Sequence, residues 1–123
     1  MSSRVVHFEL AADDPDRCAA FYADAFGWKV KKWGGPTDYW LVTTGEAPDV
    51  GIDGGIGRRQ ATDDQTTNTI DVPDLDAAVG KVLAAGGTIT NPKHVVPGVG
   101  WLAYATDTEG NPFGMMQSDE SAA

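Results

Sequence analysis

The sequence repeats itself at a spacing of 60 residues. The segment DPDRCAAFYADAFGWKV at 14–30 aligns at that offset with DLDAAVGKVLAAGGTIT at 74–90, and Trp40-Leu41 aligns with Trp101-Leu102 at an offset of 61. Self-similarity at a fixed spacing is typical of a duplicated supersecondary unit, of which neither copy buries its sheet face alone. We therefore predict two copies of one structural module.

Each half has the pattern of a β-α-β-β-β unit. Residue alternation and turn residues predict, in the first half, strands at 5–10, 28–33, 38–44 and 50–56, with a helix from Asp14 to about Ala25. In the second half they predict strands at 67–72, 86–90, 101–106 and 112–117, with a helix from Asp74 to about Ala85. The prediction is an α+β fold in one domain, 1–123, with a first βαβββ module at about 4–58, a second at about 66–117 and a tail at 118–123.

The first predicted helix carries an apolar stripe. Its apolar residues fall close to i, i+3, i+4 and i+8, and they are Cys18, Phe21, Tyr22 and Phe26. A stripe of this kind faces the core of a globular protein, which in the predicted module is the sheet. We therefore expect these side chains in the core, with Cys18 as a buried structural thiol.

The charge balance restricts the class of partner. The chain has 18 acidic and 9 basic residues and a formal net charge of -9. Nucleic acids and anionic membranes are therefore poor partners, because both require a basic surface. Cys18 is the only cysteine, and nothing near Met1 resembles a signal peptide, so we expect a soluble protein in the reducing cytoplasm.

Three separated segments carry a resemblance to a known family. They are VVHFELAADDPDRCAAFYADAFGWKV at 5–30, DVPDLDAAVGKVLAAGG at 71–87 and DTEGNPFGMMQ at 107–117. In this order they resemble the glyoxalase/bleomycin-resistance/extradiol-dioxygenase (vicinal oxygen chelate) superfamily. The resemblance implies a curved mixed sheet around a central cavity and, because each module has an open sheet edge, a homodimer. It leaves open whether the modules pair within one chain or are swapped between two.

In metal-using members of the family, the ligands come from the first and fourth strands of each module. The resemblance places the first ligand position at His7, and the offset of 60 places the second at Thr67. The two carboxylate positions fall on Gly54 and Gly114, which have no side-chain oxygen. We therefore predict no conventional metal site. The alternative is a divalent metal held by His7 with Asp53 and Gln117.

His7 and Glu9 are the candidate catalytic residues, because side chains two apart on a strand share a face. His7 is either a base in the cavity or a packed histidine, and Glu9 is either its partner or a solvated carboxylate. Substrate-binding candidates are Thr67, Thr69, Trp40 and Trp101, although most aromatic side chains of a small sheet belong to its core. His94 is predicted in a loop.

Three functions remain open at this stage. The first is a glyoxalase-like enzyme or binding protein for a small molecule, with an apolar pocket, His7 and Glu9 and no metal. The second is a metal-dependent lyase, isomerase or dioxygenase. The third is a drug-sequestering protein without catalysis, for which the acidic charge and the tryptophans suit a cationic aromatic ligand.

The duplication generates a prediction about metal content. A single imidazole holds a transition metal too weakly to retain it through purification, because affinity comes from several ligands fixed by a folded cavity. Protein purified without chelator should carry far less than one equivalent of zinc, nickel or iron by elemental analysis, and added metal should not raise its melting temperature. Stoichiometric metal that is lost on His7→Ala would contradict this.

Overall fold

The computed structural model describes residues 3–62 and 64–123. The β-α-β-β-β order occurs twice, which confirms the predicted fold class. The chain divides into two compact units, one of residues 7–66 and one of residues 67–123 together with the described residues before His7, and these correspond to the two modules apart from the start of the first strand. The elements are β1 (Val5–Ala12), α1 (Pro15–Phe26), β2 (Lys29–Lys32), β3 (Tyr39–Thr43), β4 (Gly54–Arg58), β5 (Thr67–Asp71), α2 (Leu75–Ala84), β6 (Thr88–Val96), β7 (Gly100–Thr106) and β8 (Pro112–Ser118).

The first module is a mixed four-stranded sheet with the strand order β2-β3-β4-β1. β4 runs parallel to β1 and antiparallel to β3, and Gly55 pairs with both Glu9 and Leu41. The buried side chains on the α1 side are Ala12, Trp40, Val42 and Ile56. Because strand side chains alternate, the opposite face carries His7, Glu9, Tyr39, Leu41 and Gly55. We call it the open face of the first module.

The second module repeats this arrangement with the strand order β5-β8-β7-β6. β8 runs parallel to β5 and antiparallel to β7, and Gly114 pairs with both Thr69 and Tyr104. The core between this sheet and α2 consists of Val72, Leu75, Ala103, Ala105 and Met115. By the same alternation, the open face of the second module carries Thr67, Thr69, Leu102, Tyr104 and Gly114.

Both helices begin and end as the sequence predicts. The Asp14 side chain accepts a hydrogen bond from the N–H of Arg17, and Asp74 accepts one from Ala77, both at 3.1 Å. These N-caps satisfy amides that have no partner inside the helix. Gly27 (φ 73°) and Gly86 (φ 98°) adopt the left-handed conformation after the last turns, which glycine reaches without strain.

The predicted apolar stripe of α1 is only partly in the core. Cys18 packs against the first core, but Phe21 is 59% exposed and Phe26 is 66% exposed. Their rings contact Tyr22 instead, which stacks on Trp28 at 4.7 Å. The prediction that Phe21 and Phe26 are buried is therefore wrong. The stripe of large side chains is wider than the surface that the sheet offers to the helix.

Two segments of the second module differ from the sequence prediction. β6 extends to Val96, so His94 lies on a strand and not in a loop. The register shifts on either side of Asn91, and β6 is an edge strand of its module, where Pro92 is tolerated despite its missing N–H. The predicted tail also packs on the module, because Ala122 is buried and its carbonyl accepts the N–H of Gly98 at 2.9 Å.

Within the part of the chain that the structure describes, no helix is both long and apolar enough to cross a membrane.

The burial pattern predicts unequal costs for two truncations in the first module. Ile56 is fully buried, so Ile56→Ala should lower the free energy of unfolding by about 2–5 kcal/mol. Phe21→Ala should cost about 1 kcal/mol, the size of an aromatic contact such as the one with Tyr22. Urea denaturation of both variants checks this. A cost of about 3–5 kcal/mol for Phe21→Ala, typical of a buried phenylalanine, would contradict it.

Candidate functional site

His7 lies half-buried on the open face of the first module, and its nearest polar partner is a tyrosine. Nε2 of His7 is 2.8 Å from the hydroxyl oxygen of Tyr39, which is a hydrogen-bond distance. The two rings lie 6.4 Å apart between centroids, with an angle of 24° between their planes. We call these two side chains the His7–Tyr39 pair. A bridge from β1 to β3 therefore passes over β4, the strand between them.

One glycine of β4, Gly55, makes this bridge possible, and a second, Gly57, lies beside it. A Cβ atom at Gly55 would overlap the hydroxyl of Tyr39, so the phenol occupies the space of a side chain at that position. A Cβ atom at Gly57 would lie 3.9 Å from the ring of Tyr39 and 3.9 Å from Oε1 of Glu9. We call Gly55 and Gly57 the glycine floor. Because Gly55 has no side chain, the tyrosine can cross the strand close to the backbone.

The surroundings of His7 favour the neutral form of its imidazole. Burial lowers the pKa of His7 below its ordinary value of 6.5, and the negative charge of Asp53 opposes this effect in part. Asp53 is held in place by the backbone N–H of Thr44 at 2.9 Å and by the Thr44 hydroxyl at 3.3 Å. A neutral imidazole can accept a proton, and the nearby carboxylate favours the imidazolium that would result.

Glu9 shares the open face with His7, as the sequence predicts. It is half-buried in β1 and pairs across the sheet with Gly55, and its carboxylate approaches the glycine floor next to the Tyr39 ring. The structure thus brings a carboxylate, an imidazole and a phenol together over β4. The imidazole and the phenol, at hydrogen-bond distance, can exchange a proton with each other or with a bound molecule.

The open face of the second module carries the two predicted threonines. Thr67 and Thr69 are 9% and 6% exposed. A Cβ atom at Gly114 would lie 3.2 Å from Cε1 of Tyr104 and 3.4 Å from Oγ1 of Thr69. A tyrosine therefore covers a glycine of the fourth strand in this module too.

Strand pairing corrects the sequence alignment of the two modules. Glu9 pairs with Gly55 and Thr69 pairs with Gly114, so Gly55 is the equivalent of Gly114 and the offset of the fourth strand is 59. The carboxylate position assigned to Gly54 therefore falls on Gly55. The third strands are offset by 63, because Leu41 pairs with Gly55 as Tyr104 pairs with Gly114. Trp40 and Trp101 are consequently not equivalent.

The donor set does not fit the metal that the family resemblance implies. Of the corrected positions His7, Thr67, Gly55 and Gly114, only His7 has a strong ligand atom, and catalytic zinc sites use about three protein ligands. The alternative ligand Gln117 lies on the α2 side of β8, where its side-chain oxygen accepts the N–H of Leu75 at 2.8 Å. Among residues 3–62 and 64–123, no group of three or more histidine, cysteine, aspartate or glutamate side chains has the arrangement of a metal site.

Both candidate tryptophans lie on the helix-facing sides of their sheets. Trp40 is 7% exposed and belongs to the first core. Trp101 packs against the second core, and its Nε1–H points to Oδ2 of Asp119 at 3.3 Å. The structure does not bring either ring to the open face of its module.

His94 is fixed by its own strand. Its Nδ1 lies 3.0 Å from the carbonyl oxygen of Pro92, which can only accept, so Nδ1 carries the hydrogen. The ring also stacks against Tyr104. Neither contact involves the residues of the first-module site.

Tyr39 is the site residue that the sequence analysis missed. A signal for it exists in GGIGR at 54–58, where glycines alternate with the buried Ile56. Glycine on one face of a strand often marks close approach by another group. Strand pairing was needed to show that the approaching group is the phenol of Tyr39.

Comparison with known proteins identifies the fold and the family. A family model described as a glyoxalase-like domain matches residues 6–116. The Streptomyces coelicolor methylmalonyl-CoA epimerase, solved as a variant with 2-nitronate-propionyl-CoA, is 13% identical, with 98% of each chain covered and a TM-score of 0.70. The Mycobacterium tuberculosis methylmalonyl-CoA epimerase is 13% identical, with 94% of this chain and 87% of that chain covered and a TM-score of 0.69.

A hypothetical protein from Bacillus halodurans C-125 is 14% identical, with 100% of this chain and 99% of that chain covered and a TM-score of 0.70. No curated protein matches the chain. At such low identities these solved structures establish the fold alone.

The glycine floor predicts different effects for two matched substitutions. Gly55→Ala should displace the Tyr39 hydroxyl from His7 and cost about 1–3 kcal/mol of unfolding free energy, as overpacking does. Gly57→Ala creates only ordinary contacts and should change stability by less than about 1 kcal/mol. Urea denaturation and the imidazole NMR signals of His7 measure the two effects. Equal behaviour of the two variants would contradict the packing of Tyr39 over Gly55.

Proposed function

Because the chain belongs to the glyoxalase-like domain family, we propose that it binds a small carbonyl compound on the open face of the first module and moves a proton on it, with His7 as the base. The observation that carries the proposal is the half-buried His7, which lies at hydrogen-bond distance from the hydroxyl of Tyr39 over the glycine floor and whose pKa is lowered by burial. A neutral imidazole within hydrogen-bonding reach of a bound molecule is the usual form of a general base.

The charges near His7 support this role. The field of Asp53 favours the protonated imidazole and so stabilises the state that follows proton abstraction. Glu9 shares the face with His7, and we assign it to the same site as an acidic partner for the imidazolium. Asp53 thus offsets part of the cost of placing a charge on a half-buried ring.

Beside these groups, the protein has an apolar surface that can contact the apolar part of the ligand. Leu41 lies next to Gly55 on the open face and is 41% exposed, although it is a large apolar side chain in the middle of a strand. Trp33 contacts Tyr39 edge-on, with 6.4 Å between ring centroids. A ligand with a carbonyl group and an apolar or thioester-linked substituent suits this surface. The prediction that Thr67 and Thr69 bind a ligand is a separate one, which concerns the open face of the second module alone.

Structural neighbours give a suitable first probe. The S. coelicolor and M. tuberculosis epimerases have methylmalonyl-CoA as their named substrate, an acid whose reacting proton lies next to a thioester carbonyl.

Metal-dependent lyase and dioxygenase activities are less well supported, because the donor set does not fit a metal. Sequestration of a small molecule without catalysis is the second candidate, favoured by the aromatic contact between Trp33 and Tyr39 and by the net charge of -9.

We also propose a homodimer in a reducing, cytoplasmic setting. In each module one edge strand, β2 or β6, leaves backbone groups without a strand neighbour on its outer side, and assembly is a common way to cover such edges. The single cysteine, Cys18, cannot form a disulfide within the chain.

The proposed reaction predicts exchange of an acidic proton with solvent. In D2O, the wild-type protein should exchange the α-hydrogen of methylmalonyl-CoA, or of the hemithioacetal of methylglyoxal and glutathione, as followed by proton NMR. His7→Asn should lower the rate by about 10²–10⁴-fold, the usual contribution of a general base. Because the base must be neutral, the rate should fall as the pH drops through the pKa of His7, which lies below 6.5.

The control is His94→Asn, which changes the only other histidine and should keep the wild-type rate. Equal rates for wild type and His7→Asn would contradict the assignment of the base. Binding of a probe without exchange would favour sequestration.

A further inference from the structure

Tyr39 stands between His7 and the space over the glycine floor. Its hydroxyl bonds to Nε2 of His7 and occupies the volume that a side chain at Gly55 would fill. A ligand that reaches the floor from the open face therefore meets the phenol oxygen of Tyr39 next to the imidazole. A phenol oxygen can donate one hydrogen bond and accept others, so it can bond to a ligand as well as to His7.

We propose that Tyr39 is a second catalytic residue, whose hydroxyl contacts the ligand and passes its proton to His7, and that the ligand is an enolisable carbonyl compound. This inference rests on the proposed function and deepens it. In this inference, the atom that reacts with the ligand is the phenol oxygen of Tyr39, and the imidazole of His7 is the final proton acceptor.

The proton balance of the relay is simple. The proton next to the ligand carbonyl moves to the oxygen of Tyr39, while the hydroxyl proton of Tyr39 moves to Nε2 of His7. One C–H bond and one O–H bond break, and one O–H bond and one N–H bond form. The ligand becomes an enolate, the tyrosine stays neutral, and His7 becomes an imidazolium. Reversal of both transfers returns the proton to the ligand.

The relay requires one particular form of His7. Nε2 must accept the bond from Tyr39, so the hydrogen of the neutral imidazole must lie on Nδ1. The other titratable groups near the pair are Glu9 on β1 and Asp53 before β4. The negative charge of Asp53 favours the imidazolium that the relay produces.

The chain offers a matched pair of variants for the test, because it has three tyrosines, and Tyr22 lies on α1, stacked on Trp28. Tyr39→Phe removes the hydroxyl that bonds to His7, and Tyr22→Phe removes one elsewhere in the same module. For α-hydrogen exchange, Tyr39→Phe should lower kcat by about 10²-fold or more with KM little changed, and Tyr22→Phe should behave as wild type.

Nitrogen NMR of the two histidines provides a readout that needs no ligand. In the wild type and in Tyr22→Phe, His7 should show a protonated Nδ1 and a hydrogen-bonded, unprotonated Nε2. In Tyr39→Phe the Nε2 signal should shift, while the signals of His94 stay in place. A proton on Nε2 of His7 in the wild type would overturn the relay.

The two readouts separate failure of the relay from failure of the proposed function. Exchange that is lost in His7→Asn but kept in Tyr39→Phe would overturn the relay and leave His7 as the direct base. If the wild type exchanges the α-hydrogen of neither probe, the proposed reaction is wrong for both compounds. The NMR signals of His7 still test the relay in that case, because a proton on Nε2 would exclude the hydrogen bond from Tyr39 that the relay requires.

Discussion

Burial of one sheet face against a helix determines the rest of each module. A strand turns successive side chains to opposite faces, so once Ile56 packs under α1, its neighbour Gly55 must lie on the other side. The parallel pairing of β1 with β4 then brings Glu9 beside Gly55, and the antiparallel pairing with β3 brings Leu41 to the same place. The chemistry of the open face thus follows from an apolar contact on the opposite face.

Local signals in the sequence were sufficient for the order of the elements and for the helix ends. Asp14, Asp74 and the glycines after each helix act within one turn of the chain, so their effect does not depend on the remainder of the fold. Strand register is different, because the connections between strands differ in length between the two modules. The fourth strands are therefore offset by 59 residues and the third by 63, although the helices follow the spacing of 60.

The candidate site could be predicted only where it depends on a single strand. His7 and Glu9 share a face because they lie two residues apart on β1. Tyr39 comes from another strand, and only the pairing of three strands shows that it crosses β4 to reach His7. Trp40 follows Tyr39 directly on β3, so its side chain lies on the opposite face, in the core. The alignment of Trp40 with Trp101 did not indicate this. The prediction that Phe21 is buried was wrong for a related reason. Periodicity gives the direction of its side chain, but not the width of the sheet beneath the helix.

The close packing of a tyrosine over Gly55 also restricts the order in which this sequence can change. A larger residue at position 55 and the present placement of Tyr39 exclude each other, because both require the same volume. Substitutions at the two positions are therefore epistatic: an acidic residue at position 55 fits only after the tyrosine has been replaced or has moved. While Tyr39 keeps its present place, a carboxylate at position 55 therefore requires two substitutions, with the replacement of the tyrosine first.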